Sequence, residues 1–213
     1  MSIAIKAWSA VTVVALAGIA VVSYDQAHNS AHAAAANPHA GVQMAAAPKD
    51  APINACALLK DSEVAEVAGA EVVAGERRDD GEVGDGTRAP VGTYSSTCFW
   101  RFKADVDKTP DRSLPMGGMR FVILQAMAWP TPDDAKRFID GFQEAFEHQI
   151  IPAAPIAVEG LGQQAVWWGD GTAVRQNSTS VGVSVFLQDP VKKPIQRTME
   201  ETLAKKIIPR VKK

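Results

Sequence analysis

The sequence predicts an α+β domain, built as one antiparallel sheet with helices packed on one face in the order α-β-β-β-α-β-β-β-α. Three observations carry this expectation. Short runs rich in β-branched and aromatic residues are bounded by glycine and polar turns. Two segments carry apolar residues at helical spacing. The long segments fall between groups of strands and do not alternate with single strands, as they would around a parallel sheet.

The elements follow along the chain. Asp61-Ser-Glu-Val-Ala-Glu-Val-Ala-Gly69 reads as a short helix with an acidic N-cap, Glu63 in the first turn and a glycine stop. Leu58, Leu59, Val64 and Val67 give it an apolar side. Glu71–Ala74 is a candidate strand, and Asp79–Thr87 is acidic, glycine-rich and without apolar period, so it reads as a mobile loop. Ser96–Phe102 is an aromatic strand, and a polar loop, 104–115, leads to Met119–Met127, apolar on both faces as a central strand is.

The clearest helix begins at Thr131 as cap, with Pro132 in its first position and Asp133 and Asp134 at its positive end. Its stripe is Ala135, Phe138, Ile139, Phe142, Ala145 and Phe146. Ala165–Trp168, a Gly-Asp-Gly turn and Thr172–Arg175 form a hairpin signature. Val181–Leu187 alternates as a strand. From Lys193 a last helix places Ile195, Met199, Leu203 and Ile207 at intervals of four. The two halves rhyme weakly: each runs from a tryptophan through strand and proline corner to a helix.

The chain has 213 residues, 46% hydrophobic, with a formal net charge of −2, an ordinary balance for a globule. Lys6 precedes an uncharged run, Ala7–Tyr24, whose apolar core is Val11–Val22, and Ala31-His-Ala33 offers a cleavage motif. Residues 1–33 therefore read as a signal peptide, or as an N-terminal anchor if the run stays in place, since about 18 residues suffice to span a bilayer. No cysteine precedes Cys56, which excludes a lipidated N-terminal cysteine. Residues 34–52 are an Ala- and Pro-rich linker that lacks the apolar content to offset chain entropy. A single domain spans 53–213. The expected location is periplasmic or secreted.

Cys56 and Cys98 are the two cysteines, and an even pair in an exported chain reads as a disulfide. Closing about 43 residues contributes roughly 4 kcal/mol in the chain-entropy model. The pair is not Cys-x-x-Cys, so a thioredoxin-like role lacks its motif, and a zinc shell lacks ligands.

Cys56-Ala-Leu-Leu59 before a short helix, then Cys98-Phe-Trp100, then Val158-Glu-Gly-Leu-Gly-Gln-Gln-Ala-Val-Trp167 resembles a broad group of small exported domains, many of them actinobacterial lipoproteins of unknown function. The resemblance covers roughly Ile53 to Lys213. It implies a PsbP-like sandwich, a disulfide between the matched cysteines, and no catalytic residues to carry over. The missing lipobox cysteine departs from many members.

No motif names a chemistry. Gly160-Leu-Gly162-Gln-Gln-Ala165 has the letters of a dinucleotide fingerprint, but a strand follows where a helix is needed. Asp79, Asp80, Glu82 and Asp85 do not follow the spacing of a calcium loop. His148 is the only histidine after the linker, and no nucleophile elbow accompanies it. No catalytic residue, metal site or cofactor is expected.

Trp167 and Trp168 are adjacent on a strand and point to opposite faces. Trp167, in register with Ala165, is expected in the core. Trp168 lies on the second face, where a loop or helix covers it or where, with Trp129, it is the candidate ligand or partner surface. Lys192–Lys213 carries eight Lys or Arg against two Glu, a local balance of +6. That suits weak contact with an anionic membrane, with Lys205, Lys206, Arg210, Lys212 and Lys213 toward solvent. Nucleic acid is not an expected partner, because no basic-aromatic groove is present. The function expected is a non-catalytic envelope or periplasmic module that binds a protein partner or small ligand. A secreted hydrolase and a passive membrane-proximal domain are the alternatives.

Overall fold

The structure is a computed structural model that describes residues 51–87, 89–109, 118–151, 153–188 and 192–211. The signal and anchor expectations, the linker up to residue 50, and Lys212 and Lys213 lie outside the described residues. Among the described residues no helix is long and apolar enough to cross a membrane.

The fold is α+β, as the sequence predicts. Its elements are α1 (Asp61–Ala68), β1 (Glu76–Glu82), β2 (Tyr94–Arg101), β3 (Phe121–Ala128), α2 (Pro132–Glu147), β4 (Ile156–Ala157), β5 (Gln164–Trp167), β6 (Thr172–Gln176), β7 (Thr179–Phe186) and α3 (Lys193–Ile207). Seven strands form one antiparallel sheet in the order β1-β2-β3-β7-β6-β5-β4. Two meanders meet at its centre, where β3 pairs along its whole length with β7.

Because side chains alternate along a strand, each strand feeds two layers. Cys98, Trp100, Val122, Leu124, Ala126, Val174, Val181, Val183 and Val185 lie on one face, where they pack with Val64 of α1 and Leu203, Ala204 and Ile207 of α3. Met127, Ala173 and Trp168 lie in a second cluster with Ala135, Phe138, Ile139, Phe142 and Ala145 of α2. The helices therefore divide between the two faces. All were expected on one face, but α2 carries its own complete apolar stripe and has a second face to bury it against. Phe146, counted in that stripe, is 37% exposed.

Local signals act largely as read. Gly69 ends α1 in the left-handed region, at φ 63°, where a side chain would be strained. Thr131 Oγ1 accepts from Asp134 N (3.2 Å) and caps α2. The N-cap of α1 is Lys60, so Asp61 is the first helical residue. Its carboxylate accepts from Trp100 Nε1 (2.8 Å) and Gly75 N (3.0 Å), tying the helix to β2. A Cβ at Gly75 would stand 2.6 Å from Trp100 Nε1, so only glycine fits there.

Three assignments change. Glu71–Ala74 forms no named strand: a single bridge joins Val72 to Phe102. Asp79–Glu82, expected in a mobile loop, belongs to edge strand β1, with a bulge between Asp79 and Gly81. A charged edge strand buries little and pairs through its backbone, so apolar periodicity gives no sign of it. The last helix is rotated: Leu203 and Ile207 are buried, but Ile195 is 51% exposed, and Gln196 and Glu200 are buried instead. A spacing of four advances by about 40° per step around a helix of 3.6 residues per turn, so such a stripe drifts off the contact face.

Candidate functional site

Cys56 and Cys98 are joined, with Cα atoms 5.0 Å apart. Cys56 belongs to a short 3-10 turn, Ala55–Ala57, that lies against β2, and Cys98 points to the first face. Beside the bridge, Ser96 Oγ donates to Asp79 Oδ1 (2.6 Å) and accepts from Ala55 N (3.0 Å). The bridge and these bonds pin the entry of the domain to the sheet.

Of the two readings of Trp168, cover by a helix holds, and Trp129, the other candidate for a ligand or partner surface, is also a core residue. Trp168 is 9% exposed and its ring stacks on Phe142 at 5.0 Å between centroids. Trp129 is 5% exposed, packs on Phe138 at 5.1 Å, and donates from Nε1 to Ser180 Oγ (2.8 Å). Each falls where α2 covers the second face, which removes both as a binding surface. Trp167 lies on the first face with Ala165, half-buried, and donates to Glu200 Oε2 (3.1 Å).

What the sequence reading missed is the other half of the second face. Here Phe99 of β2, Phe121 of β3 and Phe186 of β7 form a row across three strands. Ring centroids are 5.0 Å apart between Phe99 and Phe121, and 4.5 Å between Phe121 and Phe186. None of the three belongs to either apolar cluster. Phe121 is buried between its neighbours, while Phe99, Phe186 and the adjacent Ile123 are half-buried. The row arises from register: Phe99 is opposite Ile123, and Phe121 is opposite both Arg101 and Phe186. Aromatic residues at these diagonals are within reach of one another on one face of a pleated sheet.

Polar groups border the row. Arg78 lies over the Phe99 ring at 5.1 Å and forms a paired contact with Glu76 (3.1 Å to each oxygen). Arg101 is exposed beside Phe121. Toward β1, Gln125 Nε2 donates to Ser95 Oγ (3.2 Å), which donates to Asp80 Oδ2 (2.8 Å). Thr97, between Ser95 and Phe99 on the same face, has a buried hydroxyl with no hydrogen-bond partner among the described residues. The signal for this face was present as Phe99, Phe121 and Phe186 at alternating positions, but the pairing that aligns them is a tertiary fact.

The remaining candidates separate. His148 is the C-cap of α2, exposed and 3.9 Å from Glu144. Gly160 and Gly162 both take positive φ and turn the chain into β5, a strand and not a helix. Among the described residues no group of three acids, cysteines or histidines could hold a metal. In the basic C-terminal segment Arg210 pairs with Glu63 (2.5 Å) and reaches Leu58 O (2.9 Å), while Lys206 pairs with Glu66 (3.1 Å). The Arg210 guanidinium holds the Glu63 carboxyl at about 2, well below its ordinary value. These two cations, expected toward solvent, fasten α1 to the C-terminus.

No family model and no curated protein matches the chain. The resemblance to small exported domains with a PsbP-like fold therefore rests on its short motifs alone. Among solved structures, the chain is similar to the extracellular domain of PknH from Mycobacterium tuberculosis, at 15% identity over 73% of this chain and 93% of that chain, with a TM-score of 0.41.

Proposed function

We propose that the protein is an exported, non-catalytic binding module that meets a protein partner through the aromatic half of its second sheet face. The observation that carries this reading is the row Phe99-Phe121-Phe186, which belongs to neither apolar cluster, whose outer rings Phe99 and Phe186 are half-buried around buried Phe121, and which is bordered by arginines. Aromatic and arginine side chains are the types enriched at protein interfaces. A row lying flat on a sheet suits a protein surface better than an enclosed ligand. Export is supported by the Cys56–Cys98 bridge, since such bonds persist in oxidising compartments, and by the signal-like N-terminus.

Site-specific photo-crosslinking in the native envelope tests the proposal. A photoreactive residue at Arg101, exposed on the aromatic face opposite Phe121, should give a discrete protein adduct. The same residue at His148, exposed at the end of α2, should not. Equal labelling from both positions, or none from Arg101, contradicts the reading.

A further inference from the structure

We infer that the seating of α3 on the sheet is proton-dependent, with the Glu200 carboxyl protonated in the closed form and its ionisation loosening the helix. β6 falls short of the end of its neighbour β7. The shorter strand starts at Thr172, opposite Val183, so Val185 lies past the end of the pairing. One turn of α3 takes the place of the missing strand. Gln196 Nε2 donates to Val185 O (2.6 Å), and Glu200 Oε1 accepts from Val185 N (3.0 Å). Glu200 Oε2 accepts from Trp167 Nε1 (3.1 Å).

Glu200 is 1% exposed, and both donors that reach it are neutral. Among the described residues no cation pairs with it. Its charged surroundings are few. From α3 come Lys193, which is ion-paired to Asp170 and also bonds Gly169 O (3.2 Å), and Arg197, which lies over the Trp167 ring at 5.2 Å and pairs with Glu201 (2.7 Å). From the turn between β5 and β6 comes Asp170, whose negative charge opposes ionisation. β5 and β7 contribute only the indole and the backbone of Val185. Burying a full charge on two neutral hydrogen bonds is costly, so the neutral acid is favoured in this site. Burial pushes the Glu200 carboxyl from its ordinary 4.5 up to about 8.

The sign follows from proton counting. Between pH 4.5 and about 8 the closed form holds a proton that the open or unfolded form has released. Closure is therefore favoured fully below that window and weakens as pH rises through it. Loosening would uncover Trp167 and the apolar underside of α3 at Leu203 and Ile207, making the face responsive to the pH outside the cell.

The test is amide hydrogen exchange of the full, disulfide-intact chain from pH 5 to 9, corrected for the intrinsic rate. Protection at Val185 and along α3 should fall as pH rises, while protection in β3 stays constant. Glu200→Gln removes the ionisation and keeps one of the two accepting oxygens, its NH2 replacing the other, so its α3 protection should be lower but flat with pH. Should that variant fail to fold, two milder ones decide. Asp170→Asn should move the wild-type transition to lower pH, and Lys193→Gln to higher pH. Flat protection in the wild type, or a transition that neither variant moves, overturns the inference.

Discussion

Phe99 and Trp100 are neighbours on β2, and they enter different environments. Trp100 points to the first face, fully buried, bonded to Asp61 and pressed against Gly75. Phe99 points to the second face, half-buried, in a row that no apolar cluster claims. The first face is closed on every side: by α1 and α3, by the disulfide, and by the Arg210–Glu63 clamp between them. On the second, among the described residues, α2 is the helix that packs, and Phe99, Ile123 and Phe186 beyond it stay half-buried. One strand thus supplies a stabilising surface and, on alternate residues, a surface with apolar area to spare. The difference teaches that apolar content alone does not separate core from contact surface; what faces it does.

The comparison predicts unequal costs. Trp100→Ala should destabilise by about 5 kcal/mol, the upper end for a buried tryptophan, because Asp61 also loses its donor. Denaturant unfolding measures it, and a loss similar to that of Phe99→Ala, expected near 1 kcal/mol, would erase the distinction between the faces. Replacing both cysteines with serine should cost roughly 4 kcal/mol by the chain-entropy argument. Mass spectrometry without reductant should find one intramolecular bridge in the wild type, and two alkylatable thiols in folded material would contradict it.

Asp105 tests the rim of the first face. It is buried, receives Arg120 through three hydrogen bonds of 2.7 to 3.1 Å, and pairs with Lys108. The Arg120 guanidinium holds its carboxyl far below the ordinary 3.8. A depressed carboxyl stabilises above the ordinary value and loses that contribution as pH falls through the folded one. Asp105→Asn should therefore cost about 1–3 kcal/mol near neutral pH and progressively less in acid, measured by unfolding at pH 7 and pH 2. A cost that does not shrink in acid would assign the loss to shape instead of charge. The smallest effect is expected at His148, exposed at the end of α2. His148→Ala should change stability by less than ~1 kcal/mol and leave the cellular role intact; loss of that role in a folded variant would revive a catalytic reading.

Much of this molecule is legible in its sequence, and the failures share a cause. The central strand, the α2 stripe with its Thr131 cap, and the cysteine pair declare themselves through burial pattern or covalent chemistry. β1 does not, because Glu-Arg-Arg-Asp-Asp-Gly-Glu buries almost nothing and is a strand only by virtue of β2 beside it. Gln196 and Glu200 are hidden for a related reason: they are polar at buried positions because β6 ends early, which no local pattern encodes. Trp168 is ambiguous in sequence because a second aromatic on a strand has to face either a cover or a partner, and the cover comes from a helix elsewhere in the chain. The aromatic row needed the register of three strands before it existed at all.

We propose a division of labour: the aromatic half of the second face serves recognition and the first face serves stability. The direct measurement is the double variant Phe99→Ser/Phe186→Ser, followed in one preparation by thermal unfolding and by capture from the native envelope against wild type. The expected result is a midpoint lowered by less than half as much as Trp100→Ala lowers it, together with loss of the partner that position 101 crosslinks. A midpoint depressed as far as that of Trp100→Ala, or capture of the same partner undiminished, would contradict it.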